Sequence, residues 1–483
     1  MSYKKQLVSG AKWTTLSTII TSLVALLRLS ILTKILDKSD FGIVAILTFI
    51  VGLTQTFSDL GFSAAIMHEK ELTREKFSCL YWIQLLVFSG IYLIISSCSF
   101  WIANFYNESQ LITLFPILLL ELVLFGIGKL YETVLQKKFL FRTIALRNII
   151  CSLLSLVLAV SLALSGYGVY SLVYSILFNA AILNFWNLWV GQKQVKLKRV
   201  FSFRQVWPMM KIGFFQTGTQ IVDYMAAQLD VFLMGKFLGM EALGVYSLSK
   251  EILVKLFSVI NGIANKLLLP VLAKTQKDIN TLKKNYLISI HLLTFVTFPL
   301  LIAIGVFSGS IVGILYGDQY TEAAPIIALL SVAYLFSAVS NPIGSLTVAL
   351  GRTDTSFYYA IIRLFMTIPV VAITSSISLQ CVACGQIFLG LLGFLLVYFM
   401  MIKQYLHISL NMYIHFFLKN MCVAICFGTI CAMVVNLNPL NFASDYLILI
   451  VYGVLAFVIY LVAIYFLYRK DSIVSETVFQ FYS

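Results

Sequence analysis

Charged residues are scarce in this chain of 483 residues, since only 11% of them are Asp, Glu, Lys or Arg. A soluble globular protein carries roughly 25% charged residues. Hydrophobic residues account for 60% of the sequence, and the mean hydropathy is +0.95. This composition excludes an ordinary soluble domain and predicts that most of the chain lies in lipid.

Short segments of alternating polarity, which would predict a transmembrane β-barrel, are also missing. A lipid-exposed backbone must satisfy its own hydrogen bonds, so we expect helices throughout. No small-residue cleavage site follows the basic N-terminal pair Lys4 and Lys5. The first apolar run is therefore predicted to be a membrane span rather than a removable signal peptide.

Groups typical of an enzyme or a metal site are few. The sequence contains no nucleotide-binding motif, and its four histidines form no cluster. Cys381 and Cys384 form a single CxxC without a histidine or a second pair, which favours packing over metal or redox chemistry. The loops on the predicted outer side are too short for a polysaccharide polymerase or a membrane glycosyltransferase. We therefore expect no catalytic activity, no metal and no cofactor.

Apolar runs of about 20 residues, the length that crosses a bilayer as a helix, recur along the whole sequence. They predict an all-α polytopic membrane protein with about fourteen transmembrane helices. The predicted spans are 13–35, 41–64, 79–101, 111–133, 143–165, 167–190, 213–237, 243–264, 287–308, 323–347, 357–378, 380–402, 417–437 and 444–468.

Lysine and arginine are distributed unequally between the two sides that these spans define. When residues near the end of a span are counted with the adjoining loop, 27 of the 34 such residues fall on the side of the N-terminus, three on the opposite side and four inside spans. Because basic loops stay in the cytoplasm, this distribution supports the number of spans. It predicts a multi-pass protein of the bacterial inner membrane with both termini cytoplasmic. It also accounts for the net charge of +14 without nucleic acid as a partner.

The second half of the chain repeats features of the first half after a shift of 202 residues. Residues 34–44 read KILDKSDFGIV and residues 236–246 read KFLGMEALGVY. Each repeat has six predicted spans, an even number, so both copies have the same orientation. We predict two parallel six-helix lobes around a central cavity, plus two C-terminal helices. The corresponding domains are an N-terminal lobe at 1–190, a cytoplasmic linker at 191–212, a second lobe at 213–402, and two further helices with a short cytoplasmic tail at 403–483.

Polar residues at helical spacing form matching stripes in the first and seventh spans. Their steps of four and three residues place each stripe on one helix face. The stripes consist of Thr14, Thr18, Thr21, Ala25 and Arg28, and of Gln216, Gln220, Asp223, Ala227 and Asp230. Charges in lipid are costly, so such residues are expected to face water or the bundle interior. Buried structural pairing, or snorkelling of Arg28 to the interface, remains the alternative.

Other spans add charged residues of both signs. We predict that cations and polar groups line a substrate cavity, because cations suit an anionic head group such as a diphosphate. The residues of this predicted cavity are Arg28, Thr21, Lys250, Lys255, Arg363, Gln216 and Gln220. Buried carboxylates suit coupling to an H⁺ or Na⁺ gradient, and we assign that role to Asp223, Asp230 and Glu121. Lys255 also lies four residues after Glu251, so these two residues could simply pair on one face.

Several motifs resemble those of polysaccharide transporters. LDKSDFG at 36–42, the segment DLGF at 59–62, and GRTD at 351–354 followed by Arg363 are similar to this branch of the multidrug/oligosaccharidyl-lipid/polysaccharide (MOP) exporter superfamily. The resemblance is to the lipopolysaccharide, colanic-acid and teichuronic-acid exporter group, which includes flippases of the O-antigen type.

This resemblance implies a flippase that moves undecaprenyl-diphosphate-linked oligosaccharide to the outer face of the membrane by alternating access. It implies a cationic cavity on the first and eighth spans, which Arg28 and Lys250 or Lys255 match by span and charge. The partners would be the lipid-linked substrate, membrane lipids and the polysaccharide polymerase machinery, with a functional monomer. An ion-coupled multidrug or cation antiporter of the same superfamily is the alternative, which the acidic residues of the seventh span favour.

Overall fold

The computed structural model describes residues 3–59, 61–69, 72–201, 203–437, 451–455 and 458, and over this part of the chain it contains helices and no strands. The predicted all-helical membrane fold is therefore confirmed. Side-chain placement is described for most of these residues, but not for Gln216, which belongs to the predicted cavity.

The helices follow one another through short connections. Those of the first half are α1 (Tyr3–Leu32), α2 (Lys38–Asp59), α3 (Phe62–His68), α4 (Arg74–Ser97), α5 (Ser99–Tyr106), α6 (Leu111–Lys137), α7 (Phe141–Leu164), α8 (Val169–Gln192) and α9 (Phe203–Phe237). Those of the second half are α10 (Gly239–Thr275), α11 (Ile279–Val306), α12 (Ser308–Leu315), α13 (Ala323–Ser340), α14 (Pro342–Ala349), α15 (Thr353–Ser375), α16 (Leu379–Val397), α17 (Lys403–Leu406) and α18 (Leu410–Leu437).

Eleven segments of the described chain are long and apolar enough to cross a membrane, each at the position of a predicted span. The predicted spans 213–237 and 243–264 also lie in long helices, α9 and α10, which carry several charged residues and are not among these eleven segments. The predicted span 444–468 lies almost wholly outside the described residues. The total of fourteen spans stays a prediction.

The structure corrects some details of the predicted spans. Span 41–64 ends early, because α2 stops at Asp59 and Gly61 adopts a positive φ of 76° before α3 begins. Pro299 and Pro369 lie inside the continuous helices α11 and α15. Pro342 instead marks a break between helices, because it occupies the first turn of α14, directly after α13 ends.

The described chain forms two compact units. Unit 1 comprises Met1–Leu248 with Thr367–Ser376, and unit 2 comprises Ser249–Met366 with Ile377–Ser483. In unit 1, α6 packs against α4 and α8, α1 against α7, and α2 against α9. In unit 2, α13 packs against α11 and α16. The arrangement of α6 with α4 and α8 thus recurs in unit 2 among the helices six spans later, as a parallel repeat predicts.

The two repeated segments meet within unit 1 through a reciprocal glycine contact. A Cβ at Gly42 would collide with the carbonyl oxygen of Met240, and a Cβ at Gly244 would collide with the carbonyl oxygen of Lys38. Gly244 lies 202 residues after Gly42, and Met240 lies 202 residues after Lys38, so the contact has the internal symmetry of the sequence. Glycine is required at both positions because each backbone lies directly against the other. A long ion pair of 3.8 Å between Lys38 and Glu241 borders this crossing.

The segment after α8 is held against α4 by hydrogen bonds. Trp82 Nε1 donates to the carbonyl oxygen of Lys198 over 3.0 Å, and the Lys198 amide donates to Ser78 Oγ over 2.9 Å. Arg74 Nε donates to the carbonyl oxygen of Lys196 over 2.7 Å. The first part of the predicted linker at 191–212 is therefore fastened to unit 1. Its later part is helical, since α9 begins at Phe203.

Candidate functional site

A pocket of about 140 Å³, with several polar side chains in its lining, lies in unit 1 between α1, α7 and the C-terminal end of α6. Its lining combines hydroxyl groups, two carboxamides, one aromatic ring and two small or branched apolar side chains. The lining residues are Thr14, Ser17, Thr18, Thr21, Gln136, Phe141, Ile144, Ala145 and Asn148. The pocket therefore contains three of the five residues of the stripe predicted on the first span.

The three threonine hydroxyls of this pocket donate to backbone carbonyl oxygens of α1. Thr14 donates to Gly10 over 2.7 Å, and Thr18 donates to Thr14 over 2.9 Å. Thr21 donates to Ser17 over 2.8 Å. With its hydrogen used in this way, each threonine oxygen keeps its acceptor capacity for a ligand. Such bonds from Thr to the preceding turn are the usual way for hydroxyls to be tolerated inside a membrane helix.

Two contacts hold α1 against α7 beside the pocket. Ser17 Oγ donates to the carbonyl oxygen of Ala145 over 3.3 Å. The ring of Phe141 lies so close to Gly10 that a Cβ there would overlap the ring. A glycine at this position therefore gives Phe141 its place in the pocket wall.

A buried polar network lies next to the pocket. Arg147 is 1% exposed and forms an ion pair of 3.3 Å with Glu132 of α6. Its guanidinium also donates to the side-chain oxygens of Asn148, over 2.7 and 3.1 Å, and of Asn187. The network thus joins α6, α7 and α8, and Asn148 connects it to the pocket.

This network was not predicted from the sequence. Arg147 lies in the second turn of α7 and is almost completely buried. A signal was present in Glu132, Asn148 and Asn187, which are polar residues in otherwise apolar helices. Their meeting depends on helix packing and could not be read from spacing within one helix.

Arg28 lies on the same face of α1 as the pocket, two turns beyond Thr21. Its side chain is half-buried, and its Nε is buried without a hydrogen-bond partner among the described residues. Arg28 also forms no ion pair within that part of the chain. The stripe predicted on the first span is therefore a helix face that leads from a neutral polar pocket to an unneutralised cation.

The predicted ion-coupling carboxylates have different surroundings. Asp230 is 3% exposed; its Oδ2 accepts from the Tyr246 hydroxyl over 2.6 Å and its Oδ1 from the Val231 amide over 2.9 Å. Glu121 accepts from Gln55 Nε2 over 3.2 Å, so a partner exists that the sequence had not indicated. Asp223 is exposed in the structure.

The remaining residues of the predicted cavity lie on helices other than α1. Gln220 of α9 is exposed. In unit 2, Lys255 forms an ion pair of 3.6 Å with Glu251, which is the alternative pairing that the spacing had left open. Lys250 is half-buried on the same helix, and Arg363 of α15 is exposed. The structure places Thr21 and Arg28 on one face of α1. The roles of all the predicted cavity residues stay predictions.

The fold is that of membrane transporters of the MOP superfamily. The lipid II flippase MurJ in an inward closed conformation aligns with a TM-score of 0.76 and 16% identity, covering 94% of this chain and 98% of MurJ. An inward-facing multidrug resistance MATE family transporter of this superfamily aligns with a TM-score of 0.62 and 15% identity, covering 78% of this chain and 93% of the transporter. At sequence identities of 16% and 15%, these structural matches show the fold and not the substrate.

The chain belongs to the polysaccharide biosynthesis protein family, whose model matches residues 31–325. It is 28% identical over 425 residues to the lipopolysaccharide biosynthesis protein WzxC of Escherichia coli strain K12, covering 86% of this chain and 84% of WzxC. It is 27% identical over 448 residues to the teichuronic acid biosynthesis protein TuaB of Bacillus subtilis strain 168, covering 92% of each. The chain is thus a multi-pass membrane protein of polysaccharide biosynthesis.

Proposed function

We propose that the protein is a flippase that moves an undecaprenyl-diphosphate-linked oligosaccharide from the cytoplasmic to the outer face of the bacterial inner membrane. The observation that carries this proposal is Arg28, a half-buried cation in a membrane helix with no carboxylate partner in the described chain. The proposed mechanism is alternating access, in which lobes related by a parallel repeat move against each other.

The argument from Arg28 is electrostatic. A charged side chain at the centre of a bilayer costs at least about 2.5–3.5 kcal/mol on insertion scales, and Arg28, which lies about one turn before the end of α1, bears a smaller cost of the same kind. A buried donor without an acceptor adds to this cost, by about 1–3 kcal/mol for a typical group. An anionic head group would offset both costs, and a diphosphate offers oxygens for bidentate contact with a guanidinium. In unit 2, Lys250, Lys255 and Arg363 are proposed as further cations that bind the anionic head group during transport.

Complementation in the native host tests this proposal. Deletion of the gene should trap lipid-linked oligosaccharide on the cytoplasmic face of the membrane, and the wild-type gene should relieve this accumulation. Arg28→Ala should fail to relieve it at normal expression, whereas Arg28→Lys should retain partial function because it keeps the charge. Lys34→Ala is the matched control, since Lys34 is an exposed cation just beyond the end of α1.

Two results would contradict the proposal. If Arg28→Ala complements as well as Lys34→Ala, the cation on α1 does not serve transport. If the deletion leaves the lipid-linked glycan evenly distributed but sensitises cells to cationic drugs, the chain is instead an ion-coupled multidrug antiporter.

We further propose that transport is coupled to an H⁺ or Na⁺ gradient through Asp230 and Glu121, with Asp223 on the same face of α9. Both Asp230 and Glu121 are held by neutral hydrogen-bond donors, Tyr246 and Gln55. In reconstituted vesicles, an imposed H⁺ or Na⁺ gradient should accelerate flipping by the wild type. Asp230→Asn should remove that acceleration, whereas Glu108→Gln, in the exposed connection between α5 and α6, should retain it. Equal rates with and without a gradient would exclude this coupling.

A further inference from the structure

We propose that the pocket between α1, α6 and α7 binds the sugar ring attached directly to the diphosphate of the lipid carrier. This inference rests on the proposed function and adds to it a subsite that recognises sugar. The pocket is separate from Arg28, which does not line it.

The functional groups of the pocket suit a sugar ring. The oxygens of Thr14, Thr18 and Thr21 are free to accept, because their hydrogens are bonded to the helix backbone. Gln136 and Asn148 bring carboxamides to the same wall. A sugar hydroxyl both donates and accepts, so it matches this combination of acceptors and amide donors. The ring of Phe141 adds an apolar face for the C–H groups of a sugar.

The adjacent network keeps this pocket neutral. The charge of Arg147 is compensated by Glu132, and its donors are directed to Asn148 and Asn187. Because the side-chain oxygen of Asn148 accepts from Arg147, its amide nitrogen is the group left for a ligand. None of the residues that line the pocket is charged, so the lining itself offers no ion pair to a phosphate. It therefore favours an uncharged polyhydroxylated group over the diphosphate itself.

The size and position of the pocket also fit one sugar ring. Its volume of about 140 Å³ is well below the roughly 300–1,000 Å³ of pockets for drug-sized ligands. This volume matches one sugar ring rather than a whole oligosaccharide. Thr21 and Arg28 are on the same face of α1, about 10 Å apart along the helix axis at 1.5 Å per residue. Side chains of a helix lean toward its N-terminus, so a diphosphate at Arg28 and a directly attached sugar at the pocket can be bound together.

Binding to the intact protein in nanodiscs tests this subsite, with native mass spectrometry as the readout. The probes are undecaprenyl diphosphate alone and the same carrier with one glucose, galactose or N-acetylglucosamine. The wild type should bind at least one sugar-bearing carrier more tightly than the bare carrier. Thr18→Val, which keeps the side-chain shape, and Gln136→Leu should each weaken binding of that carrier by about three- to tenfold. Binding of the bare carrier should not change.

Thr48→Val is the matched control, because Thr48 is an exposed threonine on α2 whose hydroxyl is also bonded to its own helix. The subsite is excluded if Thr18→Val and Gln136→Leu bind every probe like Thr48→Val. It is also excluded if these variants weaken binding of the bare carrier as much as binding of the sugar-bearing carrier. That result would make the pocket a site for the lipid head group. If the wild type binds no carrier at all, the proposed function fails. If it binds all carriers with equal affinity, only the sugar subsite fails.

Discussion

Two arginines in membrane helices of the first unit show how much the surroundings of a single residue matter. Arg147 is almost fully buried and is satisfied by Glu132 and two asparagines. Arg28 is half-buried, and its Nε has no acceptor within the described chain. The first arrangement is typical of a structural ion pair, whereas the second leaves a charge that a ligand can neutralise.

The ion pair of Arg147 gives a stability prediction. Glu132→Gln leaves the buried guanidinium without a counter-charge, and breaking a buried pair in this way costs about 3–5 kcal/mol. We expect a large decrease in the thermal unfolding temperature of the purified protein in detergent. Glu241→Gln is the control, since Glu241 is 75% exposed and its pair with Lys38 is long. That substitution should cost about 0–1 kcal/mol. Equal decreases in unfolding temperature for Glu132→Gln and Glu241→Gln would show that the buried charge of Arg147 does not need Glu132 as its partner.

A pocket residue gives a second prediction. Gly10→Ala places a methyl group where the Phe141 ring now lies, so the ring must move. Because both residues lie in unit 1 beside the pocket, we expect lower affinity for sugar-bearing carrier and some loss of stability. Gly90→Ala is the control in α4, because a Cβ at Gly90 meets no atom within 4 Å. It should raise stability by about 0.5–1 kcal/mol, as replacing a helical glycine usually does. A carrier affinity unaffected by Gly10→Ala would mean that Phe141 does not shape the site.

At the scale of helices, the crossing of α2 and α10 is the most constrained contact that the repeat creates. Gly42→Ala and Gly244→Ala each drive a Cβ into a backbone carbonyl, which cannot move aside like the end of a side chain. We expect both variants to be destabilised or poorly expressed, and by similar amounts because the contacts are symmetric. Expression and thermal unfolding in detergent measure this effect. Wild-type stability for either variant would exclude a close backbone contact.

The start of α11 gives a prediction about pH. Asp278 caps this helix and accepts from the amides of Asn280 and Thr281. Hydrogen bonds from the Thr281 side chain and then from these amides lower the pKa of the Asp278 carboxyl. A lowered pKa contributes stability above the unfolded value of about 3.9, and this contribution is lost as the pH falls through the folded value. The unfolding temperature of the wild type should therefore exceed that of Asp278→Asn at pH 6, and the difference should shrink toward pH 3. A constant difference would exclude this linkage.

At the scale of the molecule, the distribution of basic residues predicts which loops face the cytoplasm. Fourteen spans place both termini inside, the connection around Asn107 outside and the segment 193–201 inside. A green fluorescent protein fused at the C-terminus should therefore fluoresce. Alkaline phosphatase should be active when fused after Asn107 and inactive when fused after Gln194. An active C-terminal phosphatase fusion would mean an odd number of spans.

The sequence by itself determined the membrane class, the helices, their approximate positions and the internal repeat. These properties depend on composition and on periodicity within single segments, where the spacing of side chains is set by helix geometry. The same local geometry made the stripe of Thr14, Thr18 and Thr21 visible, and it allowed the pairing of Glu251 with Lys255.

Tertiary structure alone decided which polar residues meet across helices. Arg147 and Glu132 are on different helices, as are Glu121 and Gln55, and no spacing in the sequence brings these pairs together. The pocket required α6 and α7 to pack beside α1, with Gly10 making room for Phe141. The physical reason is that burial and close contact depend on how helix faces pack, whereas hydrophobic periodicity shows only which residues share a face.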